Sequence, residues 1–190
     1  MEKGIVLIVS GLSGAGKGSI CKRLMEKYPN YVFSVSATTR APRQKEVDKK
    51  DYFFISKEEF EQKINDNQFL EYNYYAGNYY GTPKEWIDEQ LNLGNNIILE
   101  IDYHGAFKIR EKIDRTLLVF ILPPSMEELR NRLIKRGSES EETIKERMKI
   151  AESELKIADK YDYNIINENV ENSVDMLHNI VQFEKNKLGE

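Results

Sequence analysis

The run GIVLIVS at residues 4–10 is apolar without polar alternation, and it opens directly into GLSGAGKGS at residues 11–19. A strand that is hydrophobic at almost every position is buried on both faces, which argues for a parallel sheet sandwiched by helices. The glycine loop then has to turn the chain from that sheet into a helix. Further β-branched runs bounded by turn residues lie at 31–35, 96–102, 116–122 and 163–167. Helical patterns fill 17–28, 83–93, 103–112, 125–136, 141–160 and 172–186. Within 141–160, Ile144, Met148, Ala151, Leu155 and Ala158 form one stripe, and Val174, Leu177 and Val181 turn inward from the last helix. The predicted class is α/β, a parallel sheet flanked by helices.

One segment interrupts this alternation. Between residues 51 and 81, YFFI, the helical SKEEFEQKINDN and the aromatic FLEYNYYAGNYYG give short strands around one helix, an inserted β-rich lobe. RGSESEE at 136–142 is polar and glycine-marked between two helices, the pattern of a mobile flap. The 190 residues carry no repeat and no linker, so a single domain is expected. Its core covers 1–35, 83–125 and 150–190, its lobe 36–82 and its lid 126–149. Core, lobe and flap together imply closure around a ligand.

With 40% hydrophobic and 32% charged residues and a net charge of −4, the composition excludes a disordered chain and argues against nucleic acid as a partner. The N-terminal apolar run is too short to span a membrane. Cys21 stands alone, which excludes an internal disulfide and a cysteine-based zinc site and fits a reducing compartment, with the cytoplasm expected.

Residues 11–18 fit the phosphate-cradling pattern G-x-x-x-x-G-K-[ST] at every fixed place but the last, where Gly18 stands for the hydroxyl residue. Gly11, Gly14 and Gly16 let the backbone of Leu12, Ser13 and Ala15 curl with its N–H groups inward, and the following helix adds its positive N-terminal end. Lys17 is then placed to reach the β- and γ-phosphates of a nucleotide. The competing reading is an ordinary Gly-Ser turn, which the strand-loop-helix context and the spacing disfavour. Such a loop names no acceptor.

The acceptor is sought in SVSATTRAPR, residues 34–43, where Arg40 and Arg43 sit three apart near Pro42. Two guanidinium groups converging there clamp a phosphate by bidentate bonds. Read alone, the pair is two exposed loop arginines; beside a phosphate loop it is more. Tyr52 and the tyrosines of GNYYGT add hydroxyls for the same phosphate, whereas Tyr72, Tyr74 and Tyr75 read as lobe packing. Glu71, set in the apolar FLEY, needs a donor if buried. Guanine offers adjacent N1–H and N2–H₂ donors and adenine offers no proton at N1, but an exposed strand glutamate fits the periodicity equally well.

In order and spacing, GLSGAGKG, SVSATTRAPR, KDYFF, FLEY, GNYYGTP, LEIDYHGA, FILPPS, RLIKRGSESEETIKERM and IINEN resemble the guanylate kinases over nearly the full chain. The resemblance implies a P-loop NTPase-type core and the reaction of Mg-ATP with GMP to give ADP and GDP. It implies that Ser36, Glu71 and Thr82 contact guanine, and that Arg40, Arg43, Tyr52 and Tyr80 contact the GMP phosphate. It also places Glu100 and Asp102 at the acceptor side near the phosphates, and Asn167 near adenine. Lys17 with the loop from Gly11 to Ser19 takes the ATP phosphates, and Arg132, Arg136 and Arg147 match lid-side arginines. Of nine arginines, Arg40, Arg43, Arg132, Arg136 and Arg147 fall in two of these segments and Arg130 lies two residues before the second, so positive charge is available where polyphosphate must sit.

Catalysis is expected from positioning and from charge neutralisation by Lys17, Arg43, Arg132, Arg136 and Arg147, without a base, because the attacking GMP oxygen is already anionic. Mg²⁺ is expected without direct protein ligands, held by phosphates and water with support from Ser19, Glu100 and Asp102. Substrates are small nucleotides, with no membrane partner, and the chain is expected as monomer or homodimer. His104 reads as packed or capping and His178 as surface or core edge. Two positions depart from the family pattern: Leu12 where proline is frequent, and Glu100 where aspartate is expected. Rival readings are a non-catalytic module of the same shape that binds peptides in the lobe, which the retained Gly16 and Lys17 disfavour, and a kinase for another monophosphate.

Overall fold

The computed structural model describes residues 3–135 and 140–188. The first half of the chain runs β1 (Val6–Gly11), α1 (Lys17–Lys27), β2 (Tyr31–Phe33), β3 (Ala37–Thr38), β4 (Phe53–Phe54), α2 (Lys57–Asn65), β5 (Phe69–Tyr75) and β6 (Asn78–Pro83). The second half runs α3 (Lys84–Asn92), β7 (Asn96–Leu99), α4 (Tyr103–Arg110), β8 (Thr116–Leu122), α5 (Met126–Lys135), α6 (Glu141–Leu155), a 3₁₀ turn (Ala158–Lys160), β9 (Tyr163–Ile166) and α7 (Val170–Lys187).

Five strands form a parallel sheet in the order β2-β7-β1-β8-β9. The order reverses around β1, so the crevice beyond its carboxyl end is where a ligand binds in a sheet of this type. Val6 to Val9 are fully buried, as the unbroken apolar run requires. Val174, Leu177 and Val181 of α7 face inward as expected, and α7 packs on α1, where His178 stacks on Tyr28 at 3.7 Å.

Several boundaries differ from the sequence reading for local reasons. The strand expected at 96–102 ends at Leu99, because Asp102 leaves the sheet to cap α4, accepting from Gly105 N–H at 2.9 Å. His104 therefore caps nothing; it is exposed and lies against Tyr103. The helix expected over 141–160 stops at Leu155 and resumes as the 3₁₀ turn, so Leu155 leaves the apolar stripe and is exposed, while Ala158 stays buried. The expected flap at 136–142 falls largely on residues 136–139, outside the described residues.

A second sheet, β4-β3-β6-β5, makes the lobe. Its small core is Ala37, Phe60 and Phe69, with the Phe60 ring between Phe69 at 4.3 Å and Tyr79 at 5.1 Å. Ser56 caps α2 by accepting from Glu59 N–H at 3.0 Å, the S-x-x-E start that ends the preceding strand cleanly. Tyr72 and Tyr75 correct the packing expectation: β5 is an edge strand, its outer half runs into the hairpin tip, and both are exposed, whereas Tyr74, though exposed, packs edge-to-face on Tyr79 at 4.8 Å. Among the described residues no helix is long and apolar enough to cross a membrane.

Candidate active site

The glycine loop joins β1 to α1 at the topological reversal. Two of its glycines are obligatory on steric grounds. Gly11 sits at φ 142°, where a β-carbon would stand 2.3 Å from the Ile121 carbonyl oxygen, and Gly16 sits at φ 100°, where one would stand 2.4 Å from Asn167 Nδ2. Lys17, the first residue of α1, donates from Nζ to the carbonyls of Gly11 at 2.8 Å and Leu12 at 3.2 Å, bridging the loop. Leu12 is buried, so its side chain packs the loop from beneath whatever its backbone binds. Gly18 and Ser19 are exposed on the first turn.

Two arginines close on the same loop from other helices. Arg132 of α5 donates from Nη2 to Asn167 O at 3.0 Å and from Nη1 to Ala15 O at 3.4 Å, and is steadied through Nε by Glu128 at 2.9 Å. Arg147 of α6 donates from Nη1 to Ser13 Oγ at 2.8 Å. Arg136 lies outside the described residues. Asn167, expected near adenine, is buried: its amide donates to Ala15 O at 2.7 Å and its carbonyl accepts from Ser173 Oγ at 3.1 Å. Its side chain shapes the loop at Ala15 and Gly16.

On the acceptor side, Thr82 Oγ1 donates to Glu71 Oε1 at 2.6 Å. The register of β5 against β6 shifts between Phe69 and Tyr72, and this bulge sets Glu71 facing Thr82 and the loop after β7. Burial raises the Glu71 carboxyl above the ordinary carboxylate range; the Thr82 hydroxyl opposes this shift and the charge of Asp102 adds to it. The periodicity left Glu71 open between exposed and buried, and the structure has it largely buried beside Thr82. Ser36 is half-buried at the entry to β3.

Arg40 lies over the rings of Tyr52 at 5.5 Å and Phe54 at 5.8 Å, and Tyr80 stands close enough to hydrogen-bond with it. Its guanidinium forms a bidentate pair with Glu46, at 2.8 and 2.9 Å, and Glu46 also accepts from the Arg43 backbone N–H at 2.8 Å. Arg40, Tyr52 and Tyr80 are thus brought together, whereas Arg43 contributes its backbone to this cluster and is exposed.

On the core side, a cavity of about 240 Å³ is lined by Ser13, Lys17, Glu100, Asp102, Tyr103 and Glu154. A larger cavity, about 820 Å³, opens among Phe54, Lys63, Phe69 and Trp86 on the other side of the lobe; none of the expected site residues lines it. The convergence of loop, cations and carboxylates marks the smaller one as the candidate site.

Two residues absent from the sequence reading belong here. Glu46 clamps Arg40, and its only sequence signal is an acid six residues after an arginine in a basic stretch. Glu154 accepts from Ser13 N–H, and its Oε2 is buried without a hydrogen-bond partner among the described residues. Burial raises its pKa, with the Lys17 charge and the Ser13 N–H opposing. Its signal was spacing: seven residues after Arg147 on one helix, it shares that face.

The sequence pattern of the family described as Guanylate kinase matches residues 3–184. A guanylate kinase of Clostridium tetani is 50% identical over 185 residues, covering 97% of this chain and 88% of that protein. One from Clostridioides difficile is 48% identical over 188 residues, covering 99% and 92%. Among solved structures, the crystal structure of guanylate kinase from Anaplasma phagocytophilum superposes with a TM-score of 0.70 at 35% identity, covering 97% of this chain and 87% of that one. A match over nearly the whole length, on a chain that folds its glycine loop against Lys17, Arg132 and Arg147, leaves one assignment: the chain belongs to the guanylate kinase family.

Proposed function

We propose that the chain transfers the γ-phosphoryl group of Mg-ATP to GMP, giving ADP and GDP, with ATP at the glycine loop and GMP in the lobe. The observation that carries this reading is the Glu71–Thr82 pair. A largely buried carboxylate that burial pushes toward protonation has one oxygen engaged at 2.6 Å and the other able to accept donors from a ligand. Guanine presents two adjacent N–H donors on its Watson–Crick edge; adenine leaves the carboxylate unpaired. Ser36 lies on the same side of the lobe and adds a hydroxyl to the purine contacts.

On this reading the GMP phosphate enters between Arg40, Arg43, Tyr52 and Tyr80, and Arg40 shares its guanidinium between the phosphate and Glu46. Lys17 leaves the loop carbonyls for the β- and γ-phosphates of ATP. Arg132, Arg136 and Arg147 neutralise charge on the phosphoryl group in flight, and Arg43 does so from the acceptor side. No base is needed, since the attacking oxygen carries its own charge.

The Ser19 hydroxyl and the Glu100 and Asp102 carboxylates fit an ion bound through phosphate oxygens and water, facing its water shell. Mg²⁺, when bound, supplies charge neutralisation across the β- and γ-phosphates. The lobe at 36–82 and the lid at 126–149 close on the core and exclude water as a competing acceptor. The enzyme works in the cytoplasm as a monomer or homodimer on small nucleotides.

Calorimetric titration with GMP, IMP and AMP tests this reading of the lobe. GMP should bind tightest, IMP, which lacks the N2 amine, about tenfold more weakly, and AMP weakest. Glu71→Gln should flatten the series. AMP binding as tightly as GMP would overturn the guanine assignment.

A further inference from the structure

The loop's departure from the phosphate-cradling pattern and the departure after β7 from the expected aspartate fall next to each other. Among the described residues beyond its own helical turn, a β-carbon built at Gly18 would come within 4 Å of one atom, Oε2 of Glu100 at 3.8 Å. Position 18 is where the pattern sets the hydroxyl that faces the metal. An aspartate at position 100 would be one carbon–carbon bond, about 1.5 Å, shorter, and its oxygens would fall back from that place. The other carboxylate of the pair has one oxygen engaged, since Asp102 Oδ1 holds the N-terminus of α4 through Gly105, which leaves only Oδ2 to face the shell. The charge of Glu100 also reaches the start of α1, where it adds to the burial that pushes the Cys21 thiol up to about 12. Glu100 itself is exposed and faces the cavity that Lys17 lines.

We propose that Glu100 replaces the hydroxyl that Gly18 lacks: its carboxylate holds the water shell of the phosphate-bound divalent ion from the place a serine at position 18 would occupy. Positions 18 and 100 then act as one unit, and a change at either is judged by what stands at the other. Gly18→Ser beside Glu100 crowds two oxygens into one place. Glu100→Asp beside Gly18 leaves that place empty. The two changes together rebuild the pattern with its oxygen on the loop. This inference rests on the ATP-dependent reading above.

Mn²⁺ is the probe. Its binding to the protein–ADP complex, followed by electron paramagnetic resonance, is compared in the unchanged chain, Glu100→Asp, Glu100→Gln, Gly18→Ser and the Gly18→Ser/Glu100→Asp double variant. ADP affinity is measured by calorimetry with and without metal. Positions 18 and 100 are both exposed, and thermal melts check that each variant is folded. Glu100→Asp and Glu100→Gln should each weaken Mn²⁺ binding about tenfold while leaving metal-free ADP affinity unchanged, as loss of an outer-shell partner does. The double variant should recover most of that loss, a departure from additivity that only coupled sites show. Additive losses, or Mn²⁺ affinity unchanged in Glu100→Asp, would overturn the pairing. GMP turnover by the unchanged chain is recorded separately: its absence counts against the kinase reading, whereas additive variants in a turning-over enzyme count against this inference alone.

Discussion

At the scale of single residues, the decisive group is Glu71. Its carboxyl is raised above the ordinary carboxylate range, so between those two values the free protein holds a proton there that an exposed glutamate would have lost. Guanine's donors need the ionised form. GMP binding in that window should therefore release a proton, and affinity should fall by about tenfold per pH unit as pH drops below the raised value. Calorimetry in buffers of different ionisation heat reads the released proton, and Glu71→Gln, which cannot titrate, should abolish it while raising the KM for GMP roughly 10- to 100-fold. The same shift acts on folding: the native state binds more protons than the unfolded one in that window, so this residue's contribution to stability falls as pH rises through it. Glu71 also shows where sequence reading stopped. Its period-2 position was compatible with either face, and only the bulge between Phe69 and Tyr72, which no residue type announces, decides that it points at Thr82.

At the scale of elements, the glycine loop is shaped by partners that arrive from far along the chain. Gly16 leaves room for the Asn167 amide, which holds the Ala15 carbonyl 152 positions away in sequence. Gly16→Ala should displace Asn167 and adopt a strained backbone, lowering ATP affinity sharply; a tryptophan-free readout such as calorimetry with ADP measures it. Asn167→Ala should lower stability by about 1–3 kcal/mol through the unpaired Ser173 hydroxyl and the Ala15 carbonyl left with only its longer bond from Arg132, seen as a drop in melting temperature, with weaker ADP binding alongside. Arg147 reaches the loop from α6, and Arg147→Ala should lower kcat by about 10²–10³-fold with a much smaller change in KM, since its charge is needed most in the transition state. The strand and helix pattern was legible because buried parallel strands carry unbroken apolar runs. The partners of Asn167 and the pairing of Glu46 with Arg40 were not, because a side chain's hydrogen bonds across 6 or 152 positions leave no periodic trace.

At the scale of the whole molecule, two sheets hold the two halves of one reaction. The five-stranded sheet carries the glycine loop and the cavity lined by Lys17, Glu100 and Glu154, and the four-stranded one carries Arg40, Glu71 and Thr82. The proposed closure brings the halves together. Fluorophores on the exposed Tyr75 position of the hairpin and the exposed Glu152 position of α6 should report a shorter distance when GMP and a non-hydrolysable ATP analogue are both present than with either alone. An unchanged distance would leave closure without support. The central claim, phosphoryl transfer to a guanine nucleotide, is tested most directly by ADP formation from Mg-ATP with GMP, AMP, CMP and UMP in turn, with Lys17→Ala as control. The expected result is turnover with GMP alone, reduced at least about 10²-fold in the variant. Turnover with another monophosphate would contradict the role given to Glu71, and GMP binding without turnover would contradict the kinase itself.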